Sequence, residues 1–336
     1  MRRYLLPALG GAIAVFTFVY VLPRVADYSA VWRTIRTLTP AQLALLAAAT
    51  VVNVVTYAPP YQAALPGLGF RRAFVVSQAA SASSYVAPGG AATTTALSYA
   101  MLRGWGFARR RVALALAAMQ AFNQIVLLSA PAGALLLLTV IGERNALLQT
   151  VALVGLVLVV LPISGFVLAL ASRTLAVRIG DVAAHLASWA LSLAGRRPVR
   201  WNGETFAAFR AEALALLRRR AWLLALATIT GHATVFLVLL ATLRTLDVPA
   251  TDVSGVEAFA AWSLVRLLGS IPITPGGIGI VELGLTGVLT ELGGDDAAVV
   301  AAVLLYRVLT LVPTIALGAL LGLTWRAAAR YPNVKA

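Results

Sequence analysis

The chain of 336 residues is 60% hydrophobic and only 12% charged, with a mean hydropathy of +0.89. Soluble domains carry about a quarter charged residues, so this composition excludes an ordinary globular enzyme and indicates a membrane protein. The net charge of +15 does not indicate nucleic-acid binding, because the arginines lie between apolar stretches rather than on a soluble domain. With no cysteine and two histidines, the chain predicts no metal and no other cofactor.

In chain order, six apolar stretches are long enough to cross a hydrocarbon core of about 30 Å as helices. They are Tyr4–Leu22, Ala41–Ala58, Val112–Ile141, Leu147–Ala171, Ala221–Leu243 and Ala297–Leu323. The sequence therefore predicts an all-α polytopic membrane protein with about six full spans.

Two further apolar stretches, residues 74–102 and 256–292, are interrupted by proline and glycine. Irregular backbone at membrane depth survives only where protein or water satisfies its hydrogen bonds. We therefore predict two re-entrant hairpins whose turns are buried or line a cavity. The alternative is a pair of ordinary helices joined by a turn outside the membrane. The turn residues are Pro88, Gly89 and Gly90 in the first stretch and Pro275, Gly276 and Gly277 in the second.

The basic residues predict the orientation in the cytoplasmic membrane. With the N-terminus inside, 20 basic residues lie on the cytoplasmic side and five lie outside. This bias places both termini in the cytoplasm. Two membrane halves, 1–171 and 221–336, then flank a basic cytoplasmic segment, 172–220. Its apolar residues recur at helical spacing, which predicts amphipathic helices on an anionic leaflet or, alternatively, a packed cytoplasmic cap.

An offset of 187 residues aligns the two Pro-Gly-Gly turns. The same offset aligns Gln120 with Arg307 and Asn123 with Thr310, so both following helices carry polar groups on one face. The order of hairpin and long span is the same in both halves, and the charge bias places the hairpins on opposite sides. We therefore predict an inverted repeat, an arrangement typical of transporters with a substrate site near the midplane.

Three ionisable residues lie at membrane depth in the second half: Arg266, Glu282 and Arg307. Such residues usually pair or line a pathway. One interpretation is a structural ion pair between Arg266 and Glu282, which lie on opposite arms of the hairpin, with Arg307 reaching toward the interface. The other is a polar site of net charge +1 that binds a phosphate, because the planar fork of arginine can bond two oxygens.

The second half also carries an ordered pattern, at Pro272, Pro275, Gly276, Gly277, Gly279, Glu282, Gly293, Tyr306 and Arg307. This pattern resembles the membrane (flippase-like) domain of lysylphosphatidylglycerol synthases and its stand-alone relatives. The resemblance extends in span count and length over nearly the whole chain. The first half departs from it, because the run PGGAATTTALSYA lacks the basic residue and the acid that the family carries there.

The resemblance implies a flippase that moves a lipid and does not make one, since the chain ends before any synthase domain. The expected substrate is a phospholipid, an aminoacyl-phospholipid or a polyprenyl-phosphate lipid, and a lipid-synthesising enzyme is a candidate partner. From residues and resemblance together, the predicted substrate-binding residues are Arg266, Glu282, Arg307, Tyr306, Pro275, Gly276, Gly277, Gly279, Pro88, Gly89, Gly90, Gln120 and Asn123. Two other functions stay open: an intramembrane enzyme such as a polyprenyl-diphosphate phosphatase, and a membrane scaffold.

The orientation gives a testable prediction. A single cysteine introduced at Asn202, in a chain that has none, should not react with an impermeant thiol reagent added to intact cells. It should react after the cells are permeabilised, because the basic segment that contains Asn202 is predicted to be cytoplasmic. Labelling from outside intact cells would contradict the orientation.

Overall fold

The structure is a computed structural model that describes residues 33, 36–86, 90–141, 164, 172–193, 197–199, 202–270 and 274–328. Within these residues the regular structure is helical. The helices are α1 (Pro40–Val55), α2 (Pro59–Ala64), α3 (Phe70–Val86), α4 (Ala91–Gly104), α5 (Arg109–Ile141), α6 (Arg173–Leu193), α7 (Gly203–Thr245), α8 (Gly255–Gly269), α9 (Ile280–Glu291) and α10 (Asp296–Ala328), with a 3-10 turn at Pro275–Gly277.

Four helical stretches are long and apolar enough to cross a membrane: Pro40–Ala64, Arg109–Val140, Arg210–Thr245 and Asp296–Leu323. They confirm, as apolar helices, the predicted spans that begin at Ala41, Val112, Ala221 and Ala297. The other two predicted spans, Tyr4–Leu22 and Leu147–Ala171, lie outside the described residues apart from Ser164.

A single helix of 43 residues, α7, crosses the predicted boundary between the basic segment and the second half. The residues around that boundary, from Ala211 to Trp222, are mainly Ala, Leu and Arg, which favour the helix, and they include no Gly or Pro. The change from charged to apolar residues at Ala221 therefore marks a change of surroundings rather than a break in the backbone. The first part of the basic segment forms the separate helix α6.

The two predicted hairpins appear as pairs of short helices, α3 with α4 and α8 with α9. At 17, 14, 15 and 12 residues, these helices are about 18 to 26 Å long, shorter than a hydrocarbon core. The second pair is broken at Gly276, Gly277 and Gly279, whose φ angles of +63°, +65° and +87° are ones that other residues rarely adopt. In the first pair, Ala87, Pro88 and Gly89 lie outside the described residues, and Gly90 has a φ of +37°.

The offset of 187 residues aligns the helices and turns that follow the two hairpins. It carries α5 onto α10, both of 33 residues, and it carries Gly106 onto Gly293, whose φ angles are +90° and +109°. The hydrogen bonds of these turns also match. Phe107 N–H donates to the Leu102 carbonyl at 3.3 Å, and at the equivalent place Gly294 N–H donates to the Leu289 carbonyl at 3.1 Å. The backbone thus repeats where the sequence identity is weak.

The two halves interlock through the first arm of each hairpin. Helix α3 packs along α10 and α8 packs along α5, whereas α4 and α9 contact the long helix of their own half. This exchange brings the end of α3 to the Pro-Gly turn of the second hairpin, where the Tyr85 ring lies directly against Gly276. Residues from both halves therefore meet around this turn.

The α3–α10 crossing gives a prediction. A Cβ atom at Gly318 would overlap Ala82 Cβ and the Gln78 carbonyl oxygen, whereas one at Gly322 would lie 3.7 Å from Ala79 Cβ. Gly318→Ala should therefore destabilise the protein by about 1 to 3 kcal/mol through overpacking, despite the better helix propensity of alanine. Gly322→Ala, the same change one turn away, should be neutral or stabilising. Thermal unfolding in detergent measures both, and equal midpoints for the two variants would contradict the close crossing.

Candidate functional site

The Glu282 carboxylate lies in the first turn of α9 and is 1% exposed. Its Oε2 accepts a hydrogen bond from the Gly279 N–H at 2.7 Å, so the side chain caps the helix that carries it. Its Oε1 accepts from Arg307 Nε at 2.7 Å. Both oxygens of this buried acid are therefore engaged, one by backbone and one by a cation.

Arg307 joins the turn to the long helix α10. It lies eleven residues after Asp296, about 16 Å along a helix that is long enough to span the membrane. Besides its ion pair with Glu282, its Nη2 donates to the Gly276 carbonyl at 2.9 Å. The irregular backbone at Gly276 and Gly279 is thus satisfied by one buried ion pair, as burial at membrane depth requires.

The expected pairing of Glu282 with Arg266 is wrong, because the carboxylate faces α10. Arg266 has no hydrogen bond and no ion pair within the described residues, and its Nε is buried without a partner. Its guanidinium carbon lies 5.2 Å from the centroid of the Trp262 ring, one turn back on α8. A cation over an aromatic face is stabilised by the ring quadrupole, so Trp262 stabilises a charge that no acid among the described residues neutralises.

Trp262 is itself held by residues from three helices. Its Nε1 donates to the hydroxyl of Tyr306, a residue 2% exposed, at 3.3 Å. The His232 ring meets it edge-on at 6.5 Å between centroids, and His232 Nε2 lies 3.1 Å from Asn123 Oδ1. Of the two predicted polar residues on α5, Asn123 therefore contacts His232, which packs against the Trp262 ring that lies next to Arg266. The hydrogen bond described for Gln120 is to the neighbouring Gln124 at 3.4 Å.

Two tyrosines of the first half lie at the site and were missed by the sequence analysis. The Tyr85 ring lies against Gly276, and Tyr57 packs against the core cluster that contains Trp262 and Tyr306. The position of Tyr85, three residues before Pro88, was the one signal that could have found it. No comparable signal marks Tyr57, which follows α1 and reaches the site only through the fold.

In the first hairpin, threonine hydroxyl groups donate hydrogen bonds to backbone carbonyls next to the break. Thr93 and Thr94 donate to the Gly90 carbonyl at 2.8 and 3.2 Å, and Thr94 also donates to the Ala80 carbonyl at 3.1 Å. Of the remaining predicted residues, Pro275 begins the 3-10 turn and Gly277 approaches the Gly269 carbonyl oxygen closely. Within the described part of the chain, no group of His, Cys, Asp and Glu could hold a metal ion.

The ion pair gives a double-mutant prediction. Glu282→Gln and Arg307→Met should each destabilise the protein by about 3 to 5 kcal/mol, because each leaves an uncompensated buried charge. The double variant should be more stable than the sum of the two single effects predicts, since it removes both charges. Thermal unfolding in detergent measures the cycle. Additive effects would show that the two side chains do not depend on each other.

A search of curated proteins finds no match to this chain. A family model described as the lysylphosphatidylglycerol synthase TM region matches residues 8–318, which include both broken helix pairs, Arg266, Glu282 and Arg307. This confirms the family that the pattern around Pro275 indicated. The protein belongs to the lysylphosphatidylglycerol synthase transmembrane-region family.

Proposed function

We propose that the protein moves a lipid with an anionic phosphate headgroup across the cytoplasmic membrane and that Arg266 binds the phosphate. The observation that carries the proposal is the difference between two arginines, Arg307, which is buried, and Arg266, which is half-buried. Arg307 is neutralised by Glu282 and hydrogen-bonded to Gly276, whereas within the described part of the chain Arg266 is stabilised by the Trp262 ring alone. A charge held at membrane depth without an acid partner favours a role in binding or passage.

The architecture supports transport. At 12 to 17 residues, the four short helices are at or below the length that spans a membrane, so we propose that each pair enters and leaves on one side as a re-entrant hairpin. The repeat in backbone geometry and the exchanged packing of α3 and α8 support two related halves. Broken helices at the contact between such halves are typical of substrate sites in secondary transporters.

The proposed orientation keeps both termini in the cytoplasm, in line with the charge bias. It is supported by an ion pair at one end of the bundle, where Arg110 Nε lies 2.9 Å from Glu212 Oε2. Both residues were assigned to the cytoplasmic side from sequence. The charged ends of α5 and α7 therefore lie together, as two cytoplasmic segments would.

The charge of the site favours a lipid with a single negative charge. Among the described residues of the site, Arg266 and Arg307 contribute two positive charges and Glu282 one negative charge, which leaves a net +1. A phosphodiester headgroup balances that charge, whereas a diphosphate brings an excess of negative charge into a region where unpaired charge is costly. The guanidinium fork of Arg266, which lies over the Trp262 ring, can bond two phosphate oxygens. Tyr85, whose ring lies against Gly276, contributes a hydroxyl as a further donor.

The same contacts support transport over hydrolysis. A lipid phosphatase needs a nucleophile or a carboxylate that can take up and release a proton. Both oxygens of Glu282 are already bonded, and it is the one acid among the described residues at the site. We propose that the protein is not an enzyme and that a lipid-synthesising enzyme supplies its substrate.

The experiment is lipid exchange in proteoliposomes that contain fluorescent phospholipids. Arg266→Gln should slow the exchange of a phosphodiester lipid by about 10- to 100-fold, the value of one charge-assisted hydrogen bond. Its thermal stability should be unchanged or higher, because an unpaired charge is removed. The exchange rate of Arg266→Lys should lie between those of the natural protein and Arg266→Gln, since lysine keeps the charge and loses the planar fork.

Arg218→Gln is the matched control, because it removes one charge from an exposed position and should leave exchange unchanged. Phosphate release from a diphosphate lipid is scored in the same vesicles. Normal exchange by Arg266→Gln would contradict the assignment of Arg266. Phosphate release that requires the protein would favour the enzymatic alternative.

A further inference from the structure

A groove of about 460 Å³ lies beside the middle of α7, where its charged first part ends, at a place separate from the Arg266 site. Four of its lining residues are spaced to share one face of α7. One wall comes from the loop between α2 and α3. The lining residues are Pro66, Leu216, Arg219, Arg220, Trp222 and Leu223.

The groove combines positive charge with an apolar floor. Arg219 is exposed and Arg220 is half-buried, and the structure describes no ion pair or hydrogen bond for either guanidinium. The nearest acid on the same helix, Glu212, is already paired with Arg110. On the same face as the arginines, Leu216 and Leu223 pack against the core of the first half, which gives the groove an apolar side.

The groove lies where α7 changes from charged to apolar residues. Arg220 is the last of three consecutive arginines, and an uncharged stretch follows from Ala221. Trp222 is 65% exposed, as is common for tryptophan at the level of lipid headgroups. The opposite wall is also held by an arginine, because Arg111 Nη2 donates to the Pro66 carbonyl at 3.2 Å. A ligand here would contact headgroup-level cations and apolar side chains at once.

We propose that this groove binds an anionic phospholipid of the cytoplasmic leaflet that is not itself transported. The lipid phosphate contacts Arg219 and Arg220, and an acyl chain lies along Trp222 and Leu223. Because these residues share one helix while Pro66 belongs to the α2–α3 loop, the bound lipid holds α7 against the first half. Lipid binding therefore stabilises the folded protein.

The test compares thermal unfolding of detergent-solubilised protein with added phosphatidylglycerol and with phosphatidylcholine. Phosphatidylglycerol should raise the unfolding midpoint of the natural protein more than phosphatidylcholine does. The double variant Arg219→Gln/Arg220→Gln should lose most of this difference, and each single variant should lose part of it. Arg218→Gln is the matched control: it is adjacent on the same helix, carries the same charge and does not line the groove, so it should keep the full difference.

Two further arms identify the ligand and the site. Inorganic phosphate and glycerol phosphate should give no stabilisation, since they lack an acyl chain. Arg266→Gln should keep the stabilisation by phosphatidylglycerol even where it slows lipid exchange. The groove assignment fails if the double variant is stabilised as strongly as the natural protein, if the soluble phosphates stabilise it equally, or if Arg266→Gln alone abolishes the effect. Those outcomes leave the proposed transport function untouched, since exchange is measured separately.

Discussion

The buried carboxylate of Glu282 fixes the geometry on which the site depends. It accepts from the Gly279 N–H, which fixes the start of α9, and from Arg307, which ties that start to α10. Arg307 in turn satisfies the Gly276 carbonyl. One acid can neutralise only one arginine, so the pairing of Glu282 with Arg307 leaves Arg266 without an acid partner among the residues that the structure describes. The structural ion pair and the proposed phosphate-binding cation therefore follow from the same interaction.

The two hairpins differ in the groups that bond the described backbone next to their breaks. In the second, an ion pair bonds the free backbone groups, whereas in the first the hydroxyls of Thr93 and Thr94 bond the Gly90 carbonyl. Hydroxyls can close a turn without bringing charge into the membrane. The first half can thus supply packing and aromatic residues, such as Tyr85 against Gly276, while the charged chemistry stays in the second half. This division agrees with the missing charges in the first half's family pattern.

The sequence correctly predicted those features of the fold that depend on neighbouring residues in the chain. Apolar length predicted four of the helices described, and proline with glycine predicted both breaks, because these residues limit the backbone wherever they occur. The partner of Glu282 could not be predicted, since Arg266 and Arg307 are both within reach in sequence and only the packing of α10 against α9 decides between them. Tyr57 comes to the site through tertiary contacts alone. Hydropathy could not predict that α7 continues past Arg220, because it indicates the surroundings of a helix and not where the helix begins or ends.

An unpaired arginine over tryptophan suits a transporter better than a pair of free arginines would. A substrate site must bind strongly enough to draw the lipid in and weakly enough to release it, as in channels. Two free arginines at membrane depth would hold a phosphate tightly and would repel each other when it left. With Arg307 paired to Glu282, release of the lipid in the proposed transport cycle would leave Arg266 over the Trp262 face, where the ring quadrupole offsets part of its charge. The cost of the unoccupied state is thereby reduced without an acid that would compete with the phosphate.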